Sequence, residues 1–183
     1  MSVVSTANNL VGKVKYSFGA NSITSAGGTG DCSSFVQYVF GQNGVSLPRT
    51  AESQYNSSKG TAVEKSDLRA GDVVFFQGTY KSGISHVGIY AGNGKFIHNS
   101  SSKGGTTISN LSDSYYTQHY AGARRYEGAN TGSAENNEDE VRNTDVNGSK
   151  LGIIKGFASN IVVAIVIAVL LILGFLLFAK AFM

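Results

Sequence analysis

Cys32 is the only cysteine in this chain of 183 residues. It sits in Gly30-Asp31-Cys32-Ser33-Ser34-Phe35-Val36, after a glycine-rich approach, Gly27-Gly28-Thr29-Gly30, and at the head of an apolar run, Phe35-Val36-Tyr38-Val39-Phe40. A thiol in the first turn of a helix has its thiolate favoured by unpaired N–H groups and the helix dipole. That placement suits a nucleophile. The competing use of a lone cysteine is as a small buried hydrophobe, so the partners decide. A thiolate that attacks an amide needs an imidazole to take and return the proton, and a polar group to orient that imidazole. Two histidines qualify. His86 opens His86-Val87-Gly88-Ile89-Tyr90 and His98 closes Lys95-Phe96-Ile97-His98, with Ala91-Gly92-Asn93-Gly94 between them. Asn-Gly between such segments is a hairpin signal, and the two ends of an antiparallel hairpin lie side by side. A helix packed across that end brings Cys32 to both. Two histidines without nearby acidic partners make a poor zinc set. The third histidine, His119 in Tyr115-Tyr116-Thr117-Gln118-His119, reads as an ordinary loop or strand residue.

The elements that must position these groups follow from periodicity and breakers. Residues 2–15 fit a short helix with Val4, Ala7, Val11 and Val14 on one side. Tyr16 to Gly30 is rich in Gly, Ser and Thr and reads as loop. Cys32 to about Gln42 reads as a buried helix ended by Gly44. Leu47-Pro48-Arg49-Thr50 breaks the chain, and Thr50 can cap a second short helix through Tyr55. Leu68-Arg69-Ala70-Gly71-Asp72 is a turn delivering the strand Val73-Val74-Phe75-Phe76. The hairpin follows, then a polar stretch from Asn99 to Asn110 and a last strand around Tyr120 to Tyr126. Helices first and antiparallel strands after predict an α+β domain, with N-terminal helices packed on a small antiparallel sheet.

Composition divides the chain in three. Residues 1–126 carry 11 Lys/Arg against 6 Asp/Glu, residues 127–150 carry 2 against 6, and residues 151–183 carry 2 lysines. A basic globular part suits an anionic surface such as a cell wall, but no dense Lys/Arg run supports a nucleic-acid partner. A single cysteine leaves no intrachain disulfide and no cysteine-rich metal site. Residues 127–150, with Glu135-Asn136-Asn137-Glu138-Asp139-Glu140, have almost nothing apolar to bury and read as an acidic flexible linker. Its reach as a random coil is about 25–30 Å. The N-terminus lacks the basic and apolar regions of a secretory signal. Between Lys155 and Lys180 there is no charge, and residues 156–179 form an apolar run around Ile161-Val162-Val163-Ala164-Ile165. As a helix that run reaches about 36 Å, enough to cross a bilayer. Ala164, Ala168 and Gly174 give it small residues through which copies could associate.

Six stretches in order resemble the NlpC-type family of cell-wall cysteine peptidases and cover nearly all of residues 10–126. They are Asp31-Cys32-Ser33-Ser34-Phe35, Leu47-Pro48-Arg49-Thr50, Leu68 to Phe76, Ser85 to Tyr90, Gly94 to His98, and Ala121-Gly122-Ala123-Arg124-Arg125. The resemblance implies a papain-like fold and a triad: Cys32 as nucleophile, His86 as base and then acid, His98 as the orienting residue. It implies no metal and no cofactor. It places Tyr16, Asp31 and Ser33 in substrate binding, with Tyr16 near the oxyanion position. The implied substrate is a peptidoglycan stem peptide, cut between D-glutamate and the diamino acid. Ala20 and Ser34 stand where the family commonly has glycine, and the stretch between Tyr16 and Cys32 is longer than typical.

The organisation expected is therefore a peptidase domain at 1–126, a linker at 127–150 and a transmembrane helix in 151–183. Two other functions share these residues: a non-catalytic wall-binding or structural module of a membrane or virion assembly, and a related thiol reaction, amidase or acyl transfer, on another substrate. Lys150 and Lys155 precede the apolar run and only Lys180 follows it, which on positive-inside counting puts the domain on the cytoplasmic side, away from the wall. Carriage on a bacteriophage tail, with the apolar segment meeting the target membrane after the wall is cut, resolves the conflict. An uncleaved reversed anchor in a cellular membrane is the alternative.

Overall fold

In a computed structural model, residues 1–129 are described. Helix α1 (Val3–Asn8) is capped by the Ser2 side chain, which accepts the Ser5 N–H, and buries Val3 and Ala7. It is shorter than the helix expected over 2–15. Gly12, at φ 76°, turns the chain, so Val14 enters strand β1 (Val14–Tyr16) instead of a last helical turn. The expected loop from Tyr16 to Gly30 holds two further strands, β2 (Asn21–Thr24) and β3 (Gly27–Gly30). Glycine is what lets these backbones close. At Gly27 and Gly28, φ 121° and 140°, a Cβ would collide with the carbonyl oxygens of Lys13 and Ser22. Strand propensity, which reads side chains, cannot see such a strand.

Helix α2 (Cys32–Gln42) opens on a capping box: Asp31 Oδ1 accepts the Ser34 N–H at 2.8 Å and Ser34 Oγ accepts the Asp31 N–H at 2.8 Å. Thr50 caps α3 (Ala51–Tyr55) by accepting the Ser53 N–H. Past β4 (Gly60–Val63) and a 3-10 turn come β5 (Val73–Gln77), β6 (Ile84–Gly92) and β7 (Lys95–Ser100). Asn93 and Gly94, at φ 52° and 71°, make the tight β6–β7 turn. The polar stretch after His98 extends β7 and forms β8 (Gly105–Asn110). His119 ends a short helix, α4 (Ser114–His119), in place of the loop or strand expected, and β9 (Tyr120–Tyr126) closes the domain.

The nine strands form one sheet in the order β2-β3-β1-β8-β7-β6-β5-β9-β4. It is larger than the small antiparallel sheet expected, and β1 pairs with β3 in parallel through Val14↔Gly28. Each face carries its own core. On one, Val73, Phe75, Val87, Ile89 and Ile97 pack with Val3, Ala7, Phe35, Val36, Val39 and Phe40 of α1 and α2, and Cys32 belongs to this cluster. On the other, Val74, Phe76, Phe96, Leu111 and Ala123 are covered by Tyr116 and Tyr120. Strand β5 is buried on both sides, which accounts for its continuous apolar run. Among the described residues no helix is long and apolar enough to cross a membrane. The apolar run at 156–179, and all but 127–129 of the expected linker, lie outside the described residues.

Candidate active site

Cys32 is the first residue of α2 and is 7% exposed. The backbone N–H groups of Val87 in β6, of Ser33 and of Cys32 itself favour its thiolate. The helix terminus therefore touches the sheet beside His86. Burial, followed by the charge of Asp31, pushes the thiol up to about 12, and the N–H groups oppose this only in part. A helix start alone favours a thiolate; in the closed site desolvation outweighs it.

His86 Nε2 lies 2.7 Å from His98 Nδ1. Ile89 pairs with Ile97, and that register continued sets Gly88 opposite His98, where a Cβ on Gly88 would come within 3.0 Å of the His98 Cβ. His86 is thus the diagonal neighbour of His98, reaching it over the space the glycine leaves open. A shift in register between Tyr90 and Gly92 separates this pairing from one with the turn midway. The two rings stack into the second core, His86 on Phe76 at 5.8 Å and His98 on Phe96 at 4.6 Å. Burial holds both imidazoles well below the ordinary histidine range, and in His98 a charge on His86 lowers it further. Both rings are neutral near pH 7. His98 Nε2 also lies 2.9 Å from Ser109 Oγ and 3.4 Å from the Tyr116 hydroxyl.

Asp31 and Ser33 are occupied by Arg49. Its Nη1 donates to Asp31 Oδ1 at 3.0 Å and to Ser33 Oγ at 2.9 Å; its Nη2 donates to Asp31 Oδ2 at 2.7 Å and to the Ala20 carbonyl at 3.1 Å. The Gly19 N–H donates to Asp31 Oδ2. Burial alone would raise the Asp31 carboxyl, but the hydrogen bonds from Arg49 and Ser34 and the guanidinium charge hold it below the carboxylate range. The aspartate thus caps α2 and anchors the 17–20 turn through one arginine.

Two hollows meet at the thiol. One, about 490 Å³, is lined by Tyr16, Cys32, Tyr80, His86, Ser109 and Tyr116, with Lys103 and Asp113 on its wall. The other, about 420 Å³, is lined by Tyr16, Cys32, Tyr80, Asp31, Ser33 and Arg49. Tyr16, Cys32 and Tyr80 belong to both. Every residue singled out in the sequence, Cys32, His86, His98, Tyr16, Asp31 and Ser33, lies in or against this groove. Arg49, Tyr80, Ser109 and Tyr116 were not singled out. Arg49 could have been, since a basic residue follows the chain break that leads into α3; the other three carry no local signal. Among the described residues no cluster of three or more His, Cys, Asp or Glu could hold a metal.

The chain is 47% identical over 126 residues to a gamma-DL-glutamyl hydrolase of Bacillus subtilis, covering 68% of this chain and 29% of that protein. It is 42% identical over 123 residues to a probable endopeptidase p60 of Listeria seeligeri, covering 67% and 21%. The chain thus spans less than a third of the length of these curated relatives. Among solved structures, a lipoprotein-like NLP/P60 family protein of Staphylococcus aureus superposes with a TM-score of 0.58 at 33% identity, covering 68% of this chain and 40% of that one. The NlpC/P60 family profile matches residues 12–125, most of the described domain and more than half of the sequence, and on that match the chain belongs to the NlpC/P60 family.

Proposed function

We propose that this domain is a cysteine peptidase that hydrolyses stem-peptide amide bonds of peptidoglycan, at the bond between D-glutamate and the diamino acid. The observation that carries the reading is the shared hollow of Cys32 and His86, with the second nitrogen of His86 held by His98. With Nε2 engaged, Nδ1 is the nitrogen of His86 left to act as base. As Cys32 Sγ bonds to the amide carbonyl carbon, the thiol proton passes to His86 Nδ1, and the neutral resting pair becomes charged only in this step. The first-turn N–H groups of α2, which have no partner within the helix, are the donors available to the oxyanion. The imidazolium then protonates the leaving amine as the C–N bond breaks, and water hydrolyses the acyl-enzyme. His86 lines only the 490 Å³ hollow. The leaving amine, and with it the diamino acid, therefore lies there, while the glutamyl half lies beside Asp31, Ser33 and Arg49. Tyr16 borders both halves. The name gamma-DL-glutamyl hydrolase, borne by a relative, supports a glutamyl residue on the acyl side of the bond.

The test is release of stem-peptide fragments from purified cell walls, identified by mass spectrometry. Cys32→Ala is expected to abolish release while leaving the thermal unfolding transition in place. Unchanged release would remove the thiol mechanism; no release by the native protein from any wall would favour a binding module; new ends other than a free glutamyl carboxyl would indicate a different thiol reaction.

The apolar run at 156–179 is proposed to cross a bilayer, supported by the absence of charge between Lys155 and Lys180. Carriage on a bacteriophage tail is the delivery route proposed, supported by the lysines: two precede the run and one follows it, a count that sets the domain on the side away from the wall. Partition of the full chain into membranes resistant to alkaline extraction, and its detection in purified particles, test the two parts separately.

A further inference from the structure

We propose that Asn99 is a positioning residue that fixes the start of α2 against strand β7, and so sets Cys32 relative to His86. The proposal rests on the reading of Cys32 as nucleophile and His86 as its base. Asn99 follows His98 on β7 and is fully buried. Successive residues of a strand face opposite ways. His98 therefore stacks on the aromatic core, while Asn99 shares the helical face with Ile97, two residues before it. Asn99 Nδ2 donates to the Gly30 carbonyl at 2.9 Å. Gly30 stands two residues before Cys32, and its carbonyl also accepts the Ser17 N–H at 2.9 Å. Held from both sides, the peptide plane between Gly30 and Asp31 has one orientation, in which the Asp31 N–H donates to Ser34 Oγ at 2.8 Å. The cap that starts α2 at Cys32 is thus built on a peptide that Asn99 orients.

Two observations single Asn99 out. The first is where its bond comes from. Among the described residues, the other side chains outside α2 and its cap that hydrogen-bond to residues 30–34 are Arg49, just before α3, and Gln54, within it. Those bonds hold α2 to α3. Asn99 reaches the segment from the sheet, and from the strand that carries His98. The pairing route between the same two points is long: β3 to β1, β1 to β8, β8 to β7, with β1 meeting β8 through the single pair Lys15↔Gly105. The Asn99 amide spans that thin link in one step. The second observation is the other end of the amide: among the described residues Asn99 Oδ1 is buried without a hydrogen-bond partner. An unpaired buried acceptor lowers stability. Stability alone is therefore a poor reason for an amide at this position, and the grip on the Gly30 carbonyl is the better one.

The experiment uses the full chain and reads the rate at which iodoacetamide alkylates Cys32, the only thiol, alongside thermal unfolding and kcat and KM on a stem peptide. Asn99→Leu removes the donor and keeps the bulk. It is expected to slow alkylation by about 10-fold and to lower kcat by about 10- to 100-fold with KM changed less than about 2-fold, while the unfolding temperature is kept. In a His86→Gln background, where no imidazole remains to be aligned, adding Asn99→Leu is expected to change alkylation less than about 2-fold. Equal slowing in both backgrounds overturns the proposal, because a general loosening of the groove acts without His86. Native alkylation and kcat in Asn99→Leu overturn it as well. If His86→Gln does not fold, the native-background arms decide on their own. Asn99→Ala repeats the series, and failure of both Asn99 variants to fold makes the residue a stability element and overturns the positioning role. The expected alkylation pattern in a protein that cleaves no stem peptide overturns the peptidase reading and leaves the positioning role standing.

Discussion

At the scale of single residues, the shifts of His86, His98 and Cys32 define a pH window for stability by their signs. The imidazoles of His86 and His98 are held below the ordinary 6.5 by burial. As pH falls through about 6.5 the unfolded chain takes up protons that the folded chain refuses, so stability drops from there downward. Cys32 is shifted the other way, up from 9.0. Above about 9 the unfolded thiol ionises while the folded one does not, so stability drops from there upward. Thermal unfolding is thus expected to show a plateau between about pH 6.5 and 9. Cys32→Ser should remove part of the alkaline fall, and His98→Gln part of the acid fall. An unchanged acid limb in His98→Gln would contradict the burial of neutral rings. Cys32 was legible because it stands at a helix start; His86 and His98 were legible through the Asn93-Gly94 turn between their strands, although each lies two residues inside the end of its strand rather than at the strand start and strand end expected. Ser109 and Tyr116 were not. They reach His98 from β8 and α4, and contacts made through pairing register leave no trace in local pattern.

At the scale of elements, α2 and α3 were readable, while α1 is shorter than expected and α4 was not expected. Thr50 was read as the cap of the short helix after it, and α3 begins there; the start of α2 at Cys32 was read from its apolar run, and the Asp31 cap emerged only in the structure. The β6–β7 hairpin announced itself through Asn93-Gly94. The glycine-rich approach to Cys32 did not, because β3 is a strand by virtue of lacking side chains. Two glycine substitutions separate the cases. Gly28→Ala puts a Cβ against the Ser22 carbonyl in a left-handed backbone at φ 140°, and is expected to cost at least about 2 kcal/mol. Gly41→Ala, in the last turn of α2 with nothing within 4 Å of the new methyl, is expected to be neutral or to add up to about 0.5 kcal/mol. Chemical denaturation of the two variants checks both signs. A neutral Gly28→Ala would mean the β2–β3–β1 contact is looser than its register implies.

At the scale of the whole molecule, residues 1–129 contain both cores and the entire groove. A chain truncated after Ala129 is therefore expected to fold and to keep its hydrolytic activity, measured on solubilised wall fragments, while losing any affinity for vesicles. The α+β class and its layering were legible from the order of helices and strands. The sheet's breadth was not, since β1, β2 and β4 are short strands with little apolar content.

The two halves of the site belong to opposite faces of the sheet. Cys32 is part of the helical core, and His86 and His98 stack on the aromatic core behind it. No piece of the domain smaller than the whole can bring them together. Catalysis is thus a readout of cooperativity: on heating, the temperature at which activity disappears should coincide with the temperature at which both cores melt. A partly unfolded form is therefore expected to hydrolyse nothing.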